Sequence, residues 1–137
     1  MVSSSARPSP AALAVHQRLR ILLVEDDLDV ADLLRFMLSA RGHTVNVVHD
    51  GADAEPAFDL LEPDLVVLDV GLPSVDGVEL CRRLRARSDV ALLILSARGS
   101  VADIERGLAG GADDYVPKPF TSRDLEQRIA AVTARNA

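Results

Sequence analysis

With 137 residues, 48% of them hydrophobic, the chain can bury one core and build one domain. A net charge of −6 argues against the basic face that nonspecific nucleic-acid binding needs. The single cysteine, Cys81, excludes an intrachain disulfide and a cysteine-based metal site, and no apolar run approaches the ~18 residues of a membrane span. A reduced, cytoplasmic setting without membrane contact is expected.

Residues 1–18 are rich in Ser, Ala and Pro, which bury too little apolar surface to order themselves. They read as a flexible leader with a weak helical signal over 11–19, and the domain itself is expected over 19–137. From there strands and helices alternate. A buried strand is predicted over 20–25. A helix over 28–40 follows, with Val30, Leu33, Leu34, Met37 and Leu38 at helical spacing, stopped near Gly42. A strand over 44–49, a helix over 52–61 with Ala54, Ala57, Phe58 and Leu61 on one face, and a strand over 64–69 come next.

A helix over 75–87 turns Val78, Cys81 and Leu84 inward. The continuous apolar run 90–95 predicts a strand covered on both faces. Ser100 and Asp103 resemble a capping box for a helix bearing Val101, Ile104 and Leu108, ended by Gly110 and Gly111. Tyr115 and Val116 form a short last strand. Thr121 and Asp124 open a final helix with Leu125, Ile129 and Val132 inward. Five strands alternating with five helices imply an open parallel sheet with helices on both faces. His16, His43 and His49 lack ligand spacing and read as structural or solvent-facing.

In such sheets ligands bind outside the carboxyl ends of the strands. Glu25 and Asp26 end the first strand and Asp69 the third, while Ser96 follows the fourth and Lys118 the fifth. One acid after a strand is ordinary, and Asp27 fits a helix cap. Joint placement of all five on one edge is not ordinary. Adjacent acids in a partly dry site repel and resist ionisation, so a cation is expected there. Oxygen ligands suit Mg²⁺. Asp26 and Asp69 could bind it directly, Glu25 through water, and the Gly71 backbone carbonyl could add an oxygen. One Asp69 oxygen would remain as a nucleophile toward phosphorus, with Ser96 and Lys118 sharing the phosphoryl charge.

The segments 23–27 (Leu23, Val24, Glu25, Asp26, Asp27), 67–73 (Val67 to Pro73 around Asp69), 95–98 (Leu95, Ser96, Ala97, Arg98) and 111–120 (Gly111 to Phe120 around Lys118) resemble two-component response-regulator receiver domains over roughly 19–135. Residues 72–77 and 112–120 look most like receivers of winged-helix transcriptional regulators. The resemblance implies the flavodoxin-like strand order 2-1-3-4-5. It also implies Asp69 as phosphoacceptor, Glu25 and Asp26 as metal-binding acids, Ser96 as switch hydroxyl, Lys118 as phosphate partner, and a cis peptide at Lys118-Pro119. Tyr115 would be the aromatic switch residue, or simply a half-buried strand tyrosine.

A sensor histidine kinase is the implied partner, and DNA binding would require an output domain beyond this segment. A phosphatase of the haloacid-dehalogenase type would need a second acid two positions after Asp69, where Gly71 stands. A flavin- or nucleotide-binding module would have its phosphate repelled by Glu25, Asp26 and Asp27. A metal-free degenerate receiver disagrees with five competent site residues.

Two finer expectations follow. Gly71 has no side chain to hold an attacking water and Arg98 is placed to shield the phosphoryl group, so the phosphorylated form should be long-lived. The resemblance also implies a weak homodimer through the fourth helix, fifth strand and fifth helix. Asp114 and Arg128 would be one ion pair, Leu108 part of the apolar patch, and Ile104, Ala109 and Ala130 departures that remove other pairs.

Overall fold

The computed structural model describes residues 18–71, 76–97 and 101–135. Among these, five strands, β1 (Arg20–Val24), β2 (Thr44–Val48), β3 (Leu65–Asp69), β4 (Ala91–Ala97) and β5 (Asp114–Lys118), alternate with helices α1 (Leu28–Ala40), α2 (Ala54–Leu61), α3 (Gly77–Arg87), α4 (Val101–Ala109) and α5 (Ser122–Arg135). Every strand pairing is parallel and the order is β2-β1-β3-β4-β5, as the resemblance implied.

Burial follows position in the sheet. β3 is buried at every residue and β1 at all but Arg20, because helices cover both faces of these central strands. Alternate side chains feed two cores. On one face Leu34 and Leu38 of α1 and Leu125, Ile129 and Val132 of α5 close over Ile21, Leu23, Val67 and Leu93. On the other, Ala54 of α2 and Leu80, Cys81 and Leu84 of α3 close over Leu22, Val24, Val66, Leu68, Leu92 and Ile94. Each fully buried aliphatic side chain contributes ~1.5–3 kcal/mol, so the strand ends are firm supports for whatever they carry.

Short polar side chains set the helix starts. Asp27 Oδ1 accepts the Asp29 and Val30 N–H groups at 3.0 and 3.1 Å, which confirms it as the α1 cap. Asp76 Oδ1 accepts Val78 N–H at 2.9 Å before α3. At α5, Thr121 Oγ1 accepts Asp124 N–H at 3.0 Å while Asp124 Oδ2 accepts Thr121 N–H at 3.4 Å, a reciprocal capping box.

The structure departs from expectation in particular places. β4 runs on through Ser96 and Ala97, which pair with Pro117 and Lys118, so Ser96 and Lys118 lie within strands and do not follow them. β5 is an edge strand, where the missing N–H of Pro117 is tolerated. Residues 51–53 form a 3-10 turn before α2, and α3 begins at Gly77. The expected start at Val75 and the Ser100 cap lie outside the described residues, as does the leader up to residue 17. Leu33 is not a core residue but 52% exposed. On α4 Val101 and Leu108 are exposed, Ile104 is half-buried, and only Gly107 is buried. A Cβ on Gly107 would collide with Ile94 Cδ1, so α4 approaches the sheet through its backbone and not through a large apolar side chain.

Candidate phosphoryl-acceptor site

Parallel strands deliver their last residues to one edge, and the sheet order makes those residues neighbours. Asp69 closes β3, Lys118 closes β5, and Glu25 directly follows β1, its N–H donating to Val48 O at 3.1 Å. Glu25 is wholly buried, Asp69 is 8% exposed and Asp26 is exposed. Carboxylate oxygens of Glu25, Asp26 and Asp69 lie within 4.8 Å of one another.

Lys118 is the only lysine of the chain, and it supplies the cation expected from the acid cluster. Its Nζ donates to Asp69 Oδ2 at 2.9 Å and stands 3.1 Å from Glu25 Oε1. Alignment is good only toward Asp69, and Glu25 Oε1 accepts no hydrogen bond, so the contact with Glu25 is chiefly ionic. Asp69 Oδ1 accepts Gly71 N–H at 2.8 Å, and Glu25 Oε2 accepts Asp27 N–H at 3.2 Å.

One cation facing two buried acids separates their proton affinities. Burial, then the neighbouring Asp69, pushes Glu25 up to about 7. Burial acts against ionisation of Asp69 as well, but the Gly71 N–H and Lys118 outweigh it and hold that carboxyl below its usual range. Burial likewise opposes charge on Lys118, and the two acids reverse this and raise it. Asp69 is therefore the ionised acid of the pair, the form a nucleophile requires.

The donor set fits a hard divalent cation. Three carboxylates offer oxygen ligands, and exposed Asp26 leaves one side open to the waters that Mg²⁺ retains. A cation there would also remove the reason for Glu25 to hold a proton.

Ser96 lies on the same edge, one residue beyond Leu95, the register partner of Asp69. It is wholly buried, and its Oγ finds no hydrogen-bond partner among the described residues. A buried unpaired hydroxyl costs ~1–3 kcal/mol, so the site holds an unmet demand for a polar group. Ser96 alternates with Ile94 along β4, and Ile94 is the register partner of Tyr115, so Ser96 and Tyr115 share one sheet face.

Tyr115 is half-buried and joins the outer part of the α3-side core. Its ring lies 5.0 Å from the Arg128 guanidinium carbon, and Arg128 Nη1 donates to Asp114 Oδ1 at 2.9 Å and Tyr115 O at 3.0 Å. Asp114 and Arg128 thus pair within one chain, on the β5–α5 surface, and Leu108 is exposed on α4. These four residues are apart from the acid cluster. Arg98 lies outside the described residues. The Lys118-Pro119 bond is cis.

Gly77 is a site residue that the sequence reading did not single out. A Cβ there would lie 2.5 Å from Val70 Cα and 2.6 Å from Asp69 O, so the start of α3 rests against the backbone that carries Asp69. Its only sequence signal was an Asp76-Gly77 pair opening a helix.

A family model described as the response regulator receiver domain matches residues 21–130. Response regulator MprA of Mycobacterium ulcerans is 46% identical over 117 residues, covering 85% of this chain and 50% of that protein. DNA-binding response regulator MtrA of Mycolicibacterium paratuberculosis is 43% identical over 119 residues, covering 87% of this chain and 53% of that protein. The chain thus spans about half the length of these curated relatives. Among solved structures, the BeF3-activated N-terminal receiver domain of Klebsiella pneumoniae RstA superposes with a TM-score of 0.79 at 33% identity, covering 83% of this chain and 97% of that one.

Proposed function

The chain belongs to the response regulator receiver domain family, and from that premise we propose that it is a switch operated by phosphorylation of Asp69. The donor is a phosphohistidine on a sensor kinase. An Asp69 carboxylate oxygen forms the new bond to phosphorus, the phosphorus–nitrogen bond of the donor breaks, and its electron pair returns to the imidazole. The observation that carries this reading is the meeting of Asp69, Glu25, Asp26 and Lys118 at one strand-end edge.

Each group then has a stated task. Lys118 holds the Asp69 carboxylate ionised and can follow the charge onto the phosphoryl oxygens. Glu25, Asp26 and Asp69, with the Gly71 carbonyl as an added oxygen, would hold Mg²⁺, which when bound supplies positive charge beside the transferring group. Ser96 Oγ, unpaired and buried, gains a partner when a phosphoryl oxygen arrives. That gain exists only in the phosphorylated state, which is the differential contact a population shift requires. Tyr115, on the same face, follows, and the surface formed by α4, β5 and α5 changes. A homodimer through that surface, with Leu108, Asp114 and Arg128, would carry the signal to a DNA-binding output domain outside this segment.

The test is incubation with acetyl phosphate, with and without Mg²⁺, followed by intact mass. A single Mg²⁺-dependent phosphoryl adduct is expected, absent from Asp69→Asn. An adduct of equal yield in Asp69→Asn overturns the assignment.

A further inference from the structure

Four strands bring a side chain to the acidic edge: β1 leads into Glu25, β3 ends in Asp69, and β4 and β5 carry Ser96 and Lys118. The contribution of β2 comes one residue after the strand. Val48 closes β2 as the register partner of Val24, and its backbone oxygen accepts Glu25 N–H at 3.1 Å. His49 follows directly, and its Nδ1 stands 3.0 Å from the backbone oxygen of Glu25. A carbonyl can only accept, so the imidazole carries a proton on Nδ1 and donates it to this bond. The backbone around His49 is held on both sides. Val48 packs against the α3-side core, and Asp50 Oδ1 accepts Ala52 N–H at 2.9 Å to cap the 3-10 turn. The residue is otherwise exposed.

We propose that His49 is a positioning residue for Mg²⁺ binding, an inference resting on the metal-binding role proposed for Glu25 and Asp26. The peptide group is planar, so the direction of the Glu25 carbonyl fixes the plane from which Asp26 departs. Asp26 is exposed, yet its carboxylate must stay with those of Glu25 and Asp69, whose oxygens lie within 4.8 Å of one another and of its own. Turning that plane would turn Asp26 with it. The carboxylate of Glu25 is held from inside the site, by Asp27 N–H on Oε2 at 3.2 Å and by Lys118 at 3.1 Å from Oε1. His49 adds a hold on its carbonyl from outside. The imidazole acts through the backbone and not as a ligand, since the group of side chains able to share one ion is Glu25, Asp26 and Asp69. A hydrogen bond at an exposed strand end adds little to folding. Its larger effect falls on binding, because an acid pair already oriented need not be ordered by the ion.

The experiment is a Mg²⁺ titration of the full chain followed by backbone amide NMR, for the parent, His49→Ala and His49→Asn, with urea unfolding of each protein free of metal. Asn is the conservative variant, because its Nδ2 takes the place of the imidazole Nδ1 and keeps a donor there. His49→Ala is expected to raise the Mg²⁺ Kd about tenfold while the metal-free unfolding midpoint stays close to the parent's. His49→Asn is expected to restore the parent's Kd. An unchanged Kd in His49→Ala, or a Kd in His49→Asn as high as in His49→Ala, would overturn the proposal while leaving the metal site in place. A weaker Kd in His49→Ala that comes with a matching loss of metal-free stability would make the residue merely structural and overturn it too. A parent that binds no Mg²⁺ would contradict the metal site itself, and the proposal with it.

Discussion

Lys118 Nζ and Asp69 Oδ2, 49 residues apart in sequence, meet at 2.9 Å with Glu25 Oε1 only 3.1 Å from the same ammonium. The cation makes two clustered carboxylates tolerable, so removing it and removing one acid should have opposite consequences. Lys118→Met leaves Glu25 and Asp69 repelling in a buried site, and a broken buried pair costs up to ~3–5 kcal/mol, less here because Lys118 keeps some solvent contact. Asp69→Asn instead relieves the repulsion and leaves Lys118 with Glu25. Urea unfolding at pH 8 should show Lys118→Met clearly destabilised and Asp69→Asn equal to or above the parent. The reverse ranking would contradict this electrostatic account.

If Asp69 is phosphorylated as proposed, Gly71 is expected to set the lifetime of the modified form. A Cβ there lies 3.4 Å from Asp69 Oδ1, ordinary contact distance, so a longer polar side chain at this position reaches the acceptor carboxylate. Gly71→Asn should hold a water near the phosphoryl group and shorten its lifetime several-fold. Phosphate release followed by phosphorus NMR measures this, and an unchanged lifetime would remove Gly71 from the explanation.

Two buried glycines should differ in their tolerance of a methyl group. At Gly77 the obstacle is the backbone of Asp69 and Val70, which cannot move without moving the acceptor. At Gly107 it is the terminal methyl of Ile94, which can rotate. Overpacking costs ~1–3 kcal/mol, against a gain of up to ~1 kcal/mol from the helix propensity of alanine. Gly77→Ala should therefore lose clear stability and impair phosphorylation, while Gly107→Ala stays near neutral. Chemical denaturation and acetyl-phosphate labelling of both variants decide it.

The sheet was legible because its signal is redundant. Continuous apolar runs mark buried strands, and Asp27 and Thr121 mark helix starts through side chains that the structure shows capping them. The acid cluster was legible because three strand ends converge on it by topology. Strand lengths at the edge were not, since Ser96, Pro117 and Lys118 join the ladder through pairing with a neighbour and not through their own propensity. The outward turn of Leu33 was equally hidden. Helical periodicity assigns a leucine to an apolar face but cannot say whether that face has a partner. The Arg128 contact with Tyr115 depends on how α5 lies against β5, a tertiary relationship with no local sequence mark.

His43 should give stability a pH dependence of its own. Its ring is buried and Nδ1 accepts Leu19 N–H at 3.1 Å, a bond that protonation would destroy. Burial lowers its affinity for protons, Glu126 opposes that, and Arg41 adds to it, so the folded state holds this ring below 6.5. A folded value below the unfolded one means fewer protons bound when folded. This stabilisation is full above pH 6.5 and is lost as pH falls through the folded value. Glu25, raised to about 7, works in the opposite sense, its contribution fading as pH rises from 4.5 through 7. The difference between parent and His43→Gln isolates the histidine. The parent should lose more stability than the variant between pH 7 and pH 5, and parallel profiles would contradict the assignment.

The central claim is that Asp69, and no other acid of the cluster, receives the phosphoryl group. Borohydride reduces an acyl phosphate to the alcohol, and peptide mass mapping then locates the converted residue. After treatment with acetyl phosphate and Mg²⁺, conversion is predicted at residue 69 alone. Conversion at Asp26 or Asp27, or a phosphoryl adduct that resists borohydride, would contradict the account.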